Sequence, residues 1–396
     1  MDDAPFLSTI PPHVPADRVY DFDLAYDPLL KPDPHRGLLK LAKLAPEIFY
    51  TPRYGGHWVV QSHEAIFEIT HDTETFSSVP SASTPQLPIA SDPPEHEAYR
   101  HVLLKVFSPR AVNAILPRIN ELAVELVNKV ADKGRCEFVT DVSEPLPVII
   151  FMTMLGLPLE MMAPLRKLII EALNQGDYND RQKVFDRQLE LLNPVIEARM
   201  AERQDDMLSR IIDADLAGRH PTMDEIQRYL LLLANAGLDT VVNAMSYAAL
   251  HLAQDQALQA RVRAEPALIP DLVEEFFRRY SVSSIGRRVT RDVQYRGVSL
   301  KAGERMHVLL QAANLDASIF PEPDQIALRR EAPPVTFGTG IHRCLGSHLA
   351  RIEVRTVLTE FLTRIPTFRL DAEVPPEMHA GMVYTVDSLP LVWATA

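Results

Sequence analysis

Cysteine is almost missing: the chain of 396 residues contains two, Cys136 and Cys344. Two thiols cannot build a four-cysteine zinc or iron–sulfur site. A bridge between them would be unusual in a reducing compartment. No basic segment followed by an apolar run opens the chain, so no secretion signal is expected. The longest apolar run, Val148 to Leu159, is too short to span a bilayer and contains Pro158. Positive charge is in deficit. Lys and Arg number 40 against 53 Asp and Glu, a net charge of −13, which argues against nucleic acid and anionic membranes as partners. Gly/Ser linkers, repeats and low-complexity breaks are also missing. A norm of about 150 residues per domain suggests two or three domains, but nothing marks a boundary, so residues 1–396 are expected to form one. What remains is a cytoplasmic globular protein with 46% hydrophobic residues, ample for a core.

The local pattern is mainly helical. Residues 1–35 are rich in proline and aromatics and are expected to wrap the body as an arm. Leu38 to Leu44 predicts a short helix. Ile48-Phe49-Tyr50 and His57-Trp58-Val59-Val60 flank a Tyr54-Gly55-Gly56 turn and predict a hairpin. Further helices are expected over Ser62 to His71, from Asp92-Pro93-Pro94 onward, over Ser108 to Ala131, Pro145 to Leu155, Met161 to Asn174 and Arg181 to Glu202. The polar Gln175 to Asn179 between the last two suits a soft connector in a lid. Val79 to Pro94 holds too many prolines for a helix and is expected to be a pocket-wall loop. Thr222 and Glu225 form a capping box. The helix they start is apolar nearly all round from Tyr229 to Leu252, so it should run through the core. Cys136 falls at a strand entry and is expected to be a small buried residue. Ser283 to Val289, Val293 to Leu300 and Met306 to Gln311 predict strands, and the tail from Gly381 to Trp393 predicts strand and loop.

Three stretches carry chemistry. In Phe337-Gly338-Thr339-Gly340-Ile341-His342-Arg343-Cys344-Leu345-Gly346, glycines let backbone approach something flat or bulky. Arg343, the loop N–H groups and the helix expected from Leu345 to Phe361 favour a thiolate at Cys344, suited to an axial iron ligand. The ordinary alternative is a buried structural cysteine in a turn. Inside the central helix stand Asn235, Ala236, Gly237, Leu238, Asp239 and Thr240. A Gly and an Asp-Thr pair are poor choices for a buried helix. A Thr hydroxyl bonded back into the ladder opens a groove there. Glu275 and Arg278 share a helix face at i, i+3, commonly an exposed pair worth little. His96 and Arg100, four apart, also share one face.

Together these resemble the cytochrome P450 family, and the cysteine loop F-G-x-G-x-H-R-C-x-G is its most specific element. Ala236-Gly237-Leu238-Asp239-Thr240 is similar to the family's oxygen-activation motif. Pro11 to Pro15, Phe22-Asp23, Gly55 to Trp58, Gly237 to Asn243 and Leu389 to Trp393 extend the likeness over the whole chain, toward the bacterial camphor monooxygenases. The resemblance implies a mainly α fold with small β-sheets: a triangular helical prism with haem b between the central helix and the cysteine loop. It implies Cys344 as metal ligand, and His96, Arg100, Arg287, His342, Phe337, Gly338 and Gly346 as cofactor-binding. By the same resemblance Asp239 would relay protons and Thr240 would steady bound dioxygen. Glu275, Arg278 and Arg329 form a brace behind the loop, with Arg330 the alternative third member.

The implied activity is hydroxylation of a small hydrophobic molecule, a terpenoid, norisoprenoid or aromatic, with O₂ and electrons from a [2Fe–2S] ferredoxin and its reductase. The ferredoxin would dock near Arg100, Arg110 and Arg343 on a monomer. The pocket is expected to include Thr84, Leu87, Asn235, Leu238, Val282 and Ser283. Thr84, Ile285 and Asn235 stand where the camphor enzymes carry a Tyr, an Asp and a Val, which departs from a camphor pocket. A peroxide-driven haem-thiolate enzyme is an alternative, but such members lack the acid–alcohol pair. A non-catalytic haem protein is another.

Overall fold

The structure is a computed structural model and describes residues 9–80, 85–174 and 178–395, with the backbone alone at 174, 178 and 179. Helices dominate, and the described strands form four small sheets. Side-chain caps set several helix starts. Asp33 accepts from the Arg36 N–H ahead of Pro34–Leu44, and Ser108 from Ala111 ahead of Pro109–Ala131. Thr222 and Glu225 close the expected capping box ahead of Met223–Gly237. The helix Pro145–Leu155 is internal, with most of its side chains buried.

The hairpin forms as expected, Ile48–Thr51 against His57–Val60, with Ile48 opposite Val60. It extends through Arg305–Val308 and Ile285–Val289 to Phe76–Ser77, making a five-stranded sheet. Arg287 lies opposite Met306, so the sheet fixes its place. The final strand Pro390–Trp393 pairs on both sides, with Arg135–Glu137 and Phe368–Leu370. Cys136 is thereby buried opposite Leu391, and burial pushes its thiol well above the usual range.

Three expectations need correction. Val293 to Leu300 is a tight hairpin of Val293–Tyr295 and Val298–Leu300, turned by Arg296 and Gly297 with positive φ. Met306 to Gln311 leaves the sheet after Val308 and becomes the helical turn Leu310–Ala313, where buried Gln311 donates to the Val282 carbonyl. The central helix is two helices, Met223–Gly237 and Thr240–Gln254. Thr240 Oγ1 donates to the Ala236 carbonyl at 2.9 Å, which diverts that acceptor from the ladder and opens the helix. Gly237 is required at the break, because an added Cβ would meet the Phe151 ring at 2.5 Å.

The main apolar core gathers Thr240–Gln254, Ser347–Arg364, Pro109–Ala131 and Pro145–Leu155. A second lies against the five-stranded sheet. Among the described residues, no helix is long and apolar enough to cross a membrane.

Candidate active site

The cysteine loop is held from behind by local contacts. Arg278 grips Glu275 with two parallel bonds of 2.8 and 2.7 Å, and both side chains are buried. The third member is Arg330, whose Nε donates to Glu275 Oε1 at 2.9 Å. Arg329 has positive φ and points outward to Asp271, exposed. The expected Arg329 is therefore corrected to its neighbour. Arg278 also donates to the Asn314 carbonyl, and the Asn314 amide bonds the Val335 N–H and Thr336 Oγ1. The brace thus reaches the chain entering the loop. Phe337 packs edge-on against Phe277, with ring centroids 4.9 Å apart, and its carbonyl accepts the Cys344 N–H at 2.8 Å. Gly340 has φ +69 and sits so close to Thr70 that a Cβ would lie 2.2 Å from its carbonyl oxygen.

The sulfur does not behave as the loop alone suggests. A Gly346 N–H, Arg100, Arg343 and Arg351 all favour the thiolate, yet burial outweighs them and raises the Cys344 thiol above its ordinary range. The expectation that the loop surroundings favour the thiolate is corrected: on their own they leave the thiol favoured, and a coordinated cation would shift the balance toward the thiolate. Cys344 is nonetheless exposed by accessible area. Both observations hold for a sulfur that lines a recess within the protein, and the recess is what an axial ligand requires. No protein atom lies within 4 Å of a Cβ built on Gly338, and only Cys344 Sγ, at 3.9 Å, meets one on Gly346. This Cβ-free cradle fits a broad planar group.

The donors expected at its edge do converge. The His96 and His342 rings meet edge-on, with centroids 4.4 Å apart. His342 is held down to about 3 by burial and by Arg287, His96 and Arg100. Burial lowers Arg287 to about 10, with Asp92 the opposing charge. His96 Nε2, His342 Nε2 and Arg287 Nε are buried without partners. Three side chains with orphaned nitrogens, beside the cationic Arg100, fit an anionic, carboxylate-bearing group such as the haem expected from the resemblance. Arg100 already donates to the Arg343 carbonyl, joining its helix Glu95–Val106 to the loop. At the adjacent residue, the Tyr99 carbonyl accepts from the Tyr229 hydroxyl. This one helix therefore spans the gap between cysteine loop and central helix.

At the helix break, Asp239 is buried and Ala236 is accessible. Burial pushes the Asp239 carboxyl up to about 6, against the pull of Arg166, His379 and Asn243. Asn243 donates to Asp239 Oδ2 at 2.9 Å, and Arg166 lies 3.7 Å from Oδ1. Arg166 also pairs with Glu144 at 3.1 Å. A cavity of about 140 Å³ lies beside them, its lining mixing Glu144, Arg166, Asp239 and Asp387 with apolar residues such as Ile170 and Leu173. An acid near neutrality beside a cavity that also holds the Arg166–Glu144 pair can take up and pass a proton. Asn243 was findable four residues after Asp239 on a buried helix. Arg166 and Glu144 carry no motif and come from remote helices.

The pocket expectations fare less evenly. Thr84 lies outside the described residues, as do 175–177 of the soft connector. Leu87, Leu238 and Val282 are packed in the main core. Ser283 is half-buried and bridges Val383. Asn235 is not a free polar handle. It exchanges two bonds with Gln188 of the helix Tyr178–Ala201, at 2.8 and 3.2 Å, and donates to the Leu231 carbonyl.

Comparison with known proteins agrees with this geometry. The family profile described as Cytochrome P450 matches residues 161–385. A protein named probable cytochrome P450 127A1, from Sinorhizobium fredii, is 33% identical over 97% of both chains. The solved structure of CYP101J2 superimposes with a TM-score of 0.87 at 35% identity, covering 98% of this chain and 100% of that one. That of CYP101C1 gives 0.88 at 34% identity with the same coverage.

Proposed function

The chain belongs to the cytochrome P450 family of haem b monooxygenases, and on that premise we propose that it hydroxylates a small, mostly apolar molecule with electrons from a [2Fe–2S] ferredoxin. When bound through Cys344, haem b supplies dioxygen activation, which an electron-rich thiolate promotes. His96, Arg100, Arg287 and His342 hold its carboxylates. The Glu275–Arg278–Arg330 brace keeps the loop in place. Asp239 carries protons inward from the cavity it shares with Arg166 and Glu144. Thr240 spends its proton on the Ala236 carbonyl and keeps its lone pairs free to order a water or accept a bond at the helix break.

The observation that carries the reading is the Asp239–Thr240 pair at an opened, buried helix, with the acid tuned to about 6. It favours O₂-driven over peroxide-driven chemistry, because the latter has no use for a proton relay. An apolar substrate suits the aliphatic side chains Leu87, Leu238 and Val282, proposed to line the pocket from the main core. Its class is proposed as terpenoid, norisoprenoid or aromatic. The ferredoxin docks where Arg110 and Arg343 are exposed beside Arg100, basic positions on an otherwise acidic molecule. The enzyme is proposed to act in the cytoplasm as a monomer.

A spectral-shift screen of terpenoids and aromatics identifies ligands. Turnover with NADH, reductase and ferredoxin then tests the chemistry. The reduced carbonyl complex should show the strongly red-shifted band of thiolate ligation, lost in Cys344→Ser. Thr240→Ala should bind the same ligand but divert electrons to peroxide, with coupling down about tenfold or more. Unchanged coupling would reject the assigned role of Thr240.

A further inference from the structure

The five-stranded sheet buries one face and carries a polar corner on the other. Trp58, Val60, Met306 and Val308 point into the second core. Side chains alternate along a strand, so His57 and His307 stand on the opposite face. The register sets His307 between Val59 and Gly286 on the neighbouring strands, and the His57 and His307 ring centroids are 6.1 Å apart. Gly286 is exposed, and a Cβ built on it would meet nothing within 4 Å. Both rings keep accessible surface, yet burial is the largest influence on each. Rings enclosed by protein and still accessible line a recess, here floored by Gly286.

The recess is electropositive. Arg305, on the strand of His307, donates to the Tyr54 and Gly56 carbonyls beside His57. Arg181, on the lid helix Tyr178–Ala201, adds its charge to the surroundings of His307. Burial and Arg305 lower His57 to about 4, and burial, His57, Arg181 and Arg305 lower His307 to about 3. Among the described residues, no carboxylate counters them at either ring. Each ring has one nitrogen engaged. His57 Nδ1 donates to the Arg53 carbonyl at 3.2 Å. His307 Nε2 donates to Ser284 Oγ at 2.8 Å, and that hydroxyl donates onward to the Met382 carbonyl. The second nitrogens, His57 Nε2 and His307 Nδ1, have no partner among the described residues. An anion in the recess favours proton uptake by either ring, which turns a bare nitrogen into a donor.

The recess adjoins the segments proposed to wall the substrate pocket. The Ser284 N–H also bonds the Met382 carbonyl, Ser283 bridges Val383, and the Val282 carbonyl accepts the Tyr384 N–H. Three residues beyond Ser284, about 10 Å along an extended strand, Arg287 turns to the other face and the cofactor edge.

We propose that this histidine–arginine recess receives a carboxylate at one end of an otherwise apolar substrate, with Arg181 contributing from the lid helix. The inference rests on the apolar-substrate reading above and narrows it to amphiphilic acids. The paired oxygens of a carboxylate accept from two donors at once. A hydroxyl end would gain nothing from the arginines.

The test uses the haem-loaded protein and three probes with one terpene chain: geranic acid, methyl geranate and geraniol. They end in a carboxylate, an ester and a hydroxyl. Spectral-shift titrations at neutral pH should show the acid binding about tenfold tighter than the other two. Arg181→Gln and His307→Gln should each weaken the acid about fivefold or more and leave the ester within about twofold. Equal affinity for acid and ester, tighter binding of the alcohol, or an equal loss for all three probes in the variants overturns the proposal. Arg181 is only half-buried, so Arg181→Gln decides the matter should His307→Gln fail to fold. If none of the three probes shifts the spectrum, the apolar-substrate reading falls and this inference with it. If the ester and the alcohol bind and the acid does not, the carboxylate recess alone is rejected.

Discussion

Replacing Arg330 tests the brace more sharply than replacing any other member. Arg330→Ala removes one charge-assisted bond to Glu275 and three bonds to the carbonyls of Pro321, Glu322 and Gln325. Glu275 keeps its two bonds from Arg278 and one from the Ala327 N–H. The three carbonyl bonds are at exposed positions where water takes Arg330's place, so the loss is partial, about 2 kcal/mol for the one hydrogen bond to a charged, buried group. Arg278→Ala strips both parallel bonds from a buried carboxylate and should cost about 4 kcal/mol. Unfolding entropy of about 2.1 cal/mol/K per residue makes 1 kcal/mol worth just over 1 °C in a chain of this length. Midpoints should thus fall by about 2 °C for Arg330→Ala and about 5 °C for Arg278→Ala. Arg329→Ala removes an exposed pair with Asp271 and should stay within the scatter of surface variants. The assays are thermal denaturation and the fraction of protein that keeps its haem through gel filtration. An Arg329→Ala variant that loses as much as Arg330→Ala would refute the reasoning.

Gly237→Ala should destabilise by about 1–3 kcal/mol through overpacking, because its Cβ would press on Phe151; Phe151→Leu should restore most of the loss, and no restoration means the clash is not the cause. Asn235→Leu strands the Gln188 amide in a buried interface and should cost about 1–3 kcal/mol, read by denaturation, with Gln188→Leu in the same chain recovering part of it. Glu353 is fully buried with Oε1 unpartnered, and burial raises its carboxyl from 4.5 to about 8. The folded state then holds a proton that the unfolded state releases, so stability falls as pH rises from about 4.5 to about 8 and levels off above. Glu353→Gln should flatten that decline, and parallel profiles for variant and wild type would contradict it.

The cysteine loop, the capping box, the first hairpin and most helix bounds were legible because each rests on neighbours in sequence. Thr240 was legible for the same reason: its hydroxyl reaches back one turn. The two-helix character of residues 223–254 was only half-legible. An opened ladder follows from Thr240, but the full break also needs Gly237 against Phe151, more than eighty residues away. Arg329 and Arg330 are adjacent arginines, and only the backbone turn at Arg329, with φ 62, decides which one points inward. Asn235 looked like a pocket residue because nothing local identifies Gln188 as its partner. Arg166 and Glu144 meet the central helix from distant segments and leave no periodic trace.

Most of the contacts that brace the cysteine loop from behind run from Glu275 to Arg351, a single continuous span of chain, with Thr70 and Arg100 joining from outside it. Those expected to grip the carboxylates include His96 and Arg100, nearly two hundred residues earlier. Closing short loops is entropically easier than closing long ones. One wall of the cofactor site can therefore assemble by itself during folding, while the other arrives only with global collapse. A porphyrin gripped by both walls would therefore tie the helix carrying His96 and Arg100 to the braced cysteine loop, two segments far apart in sequence.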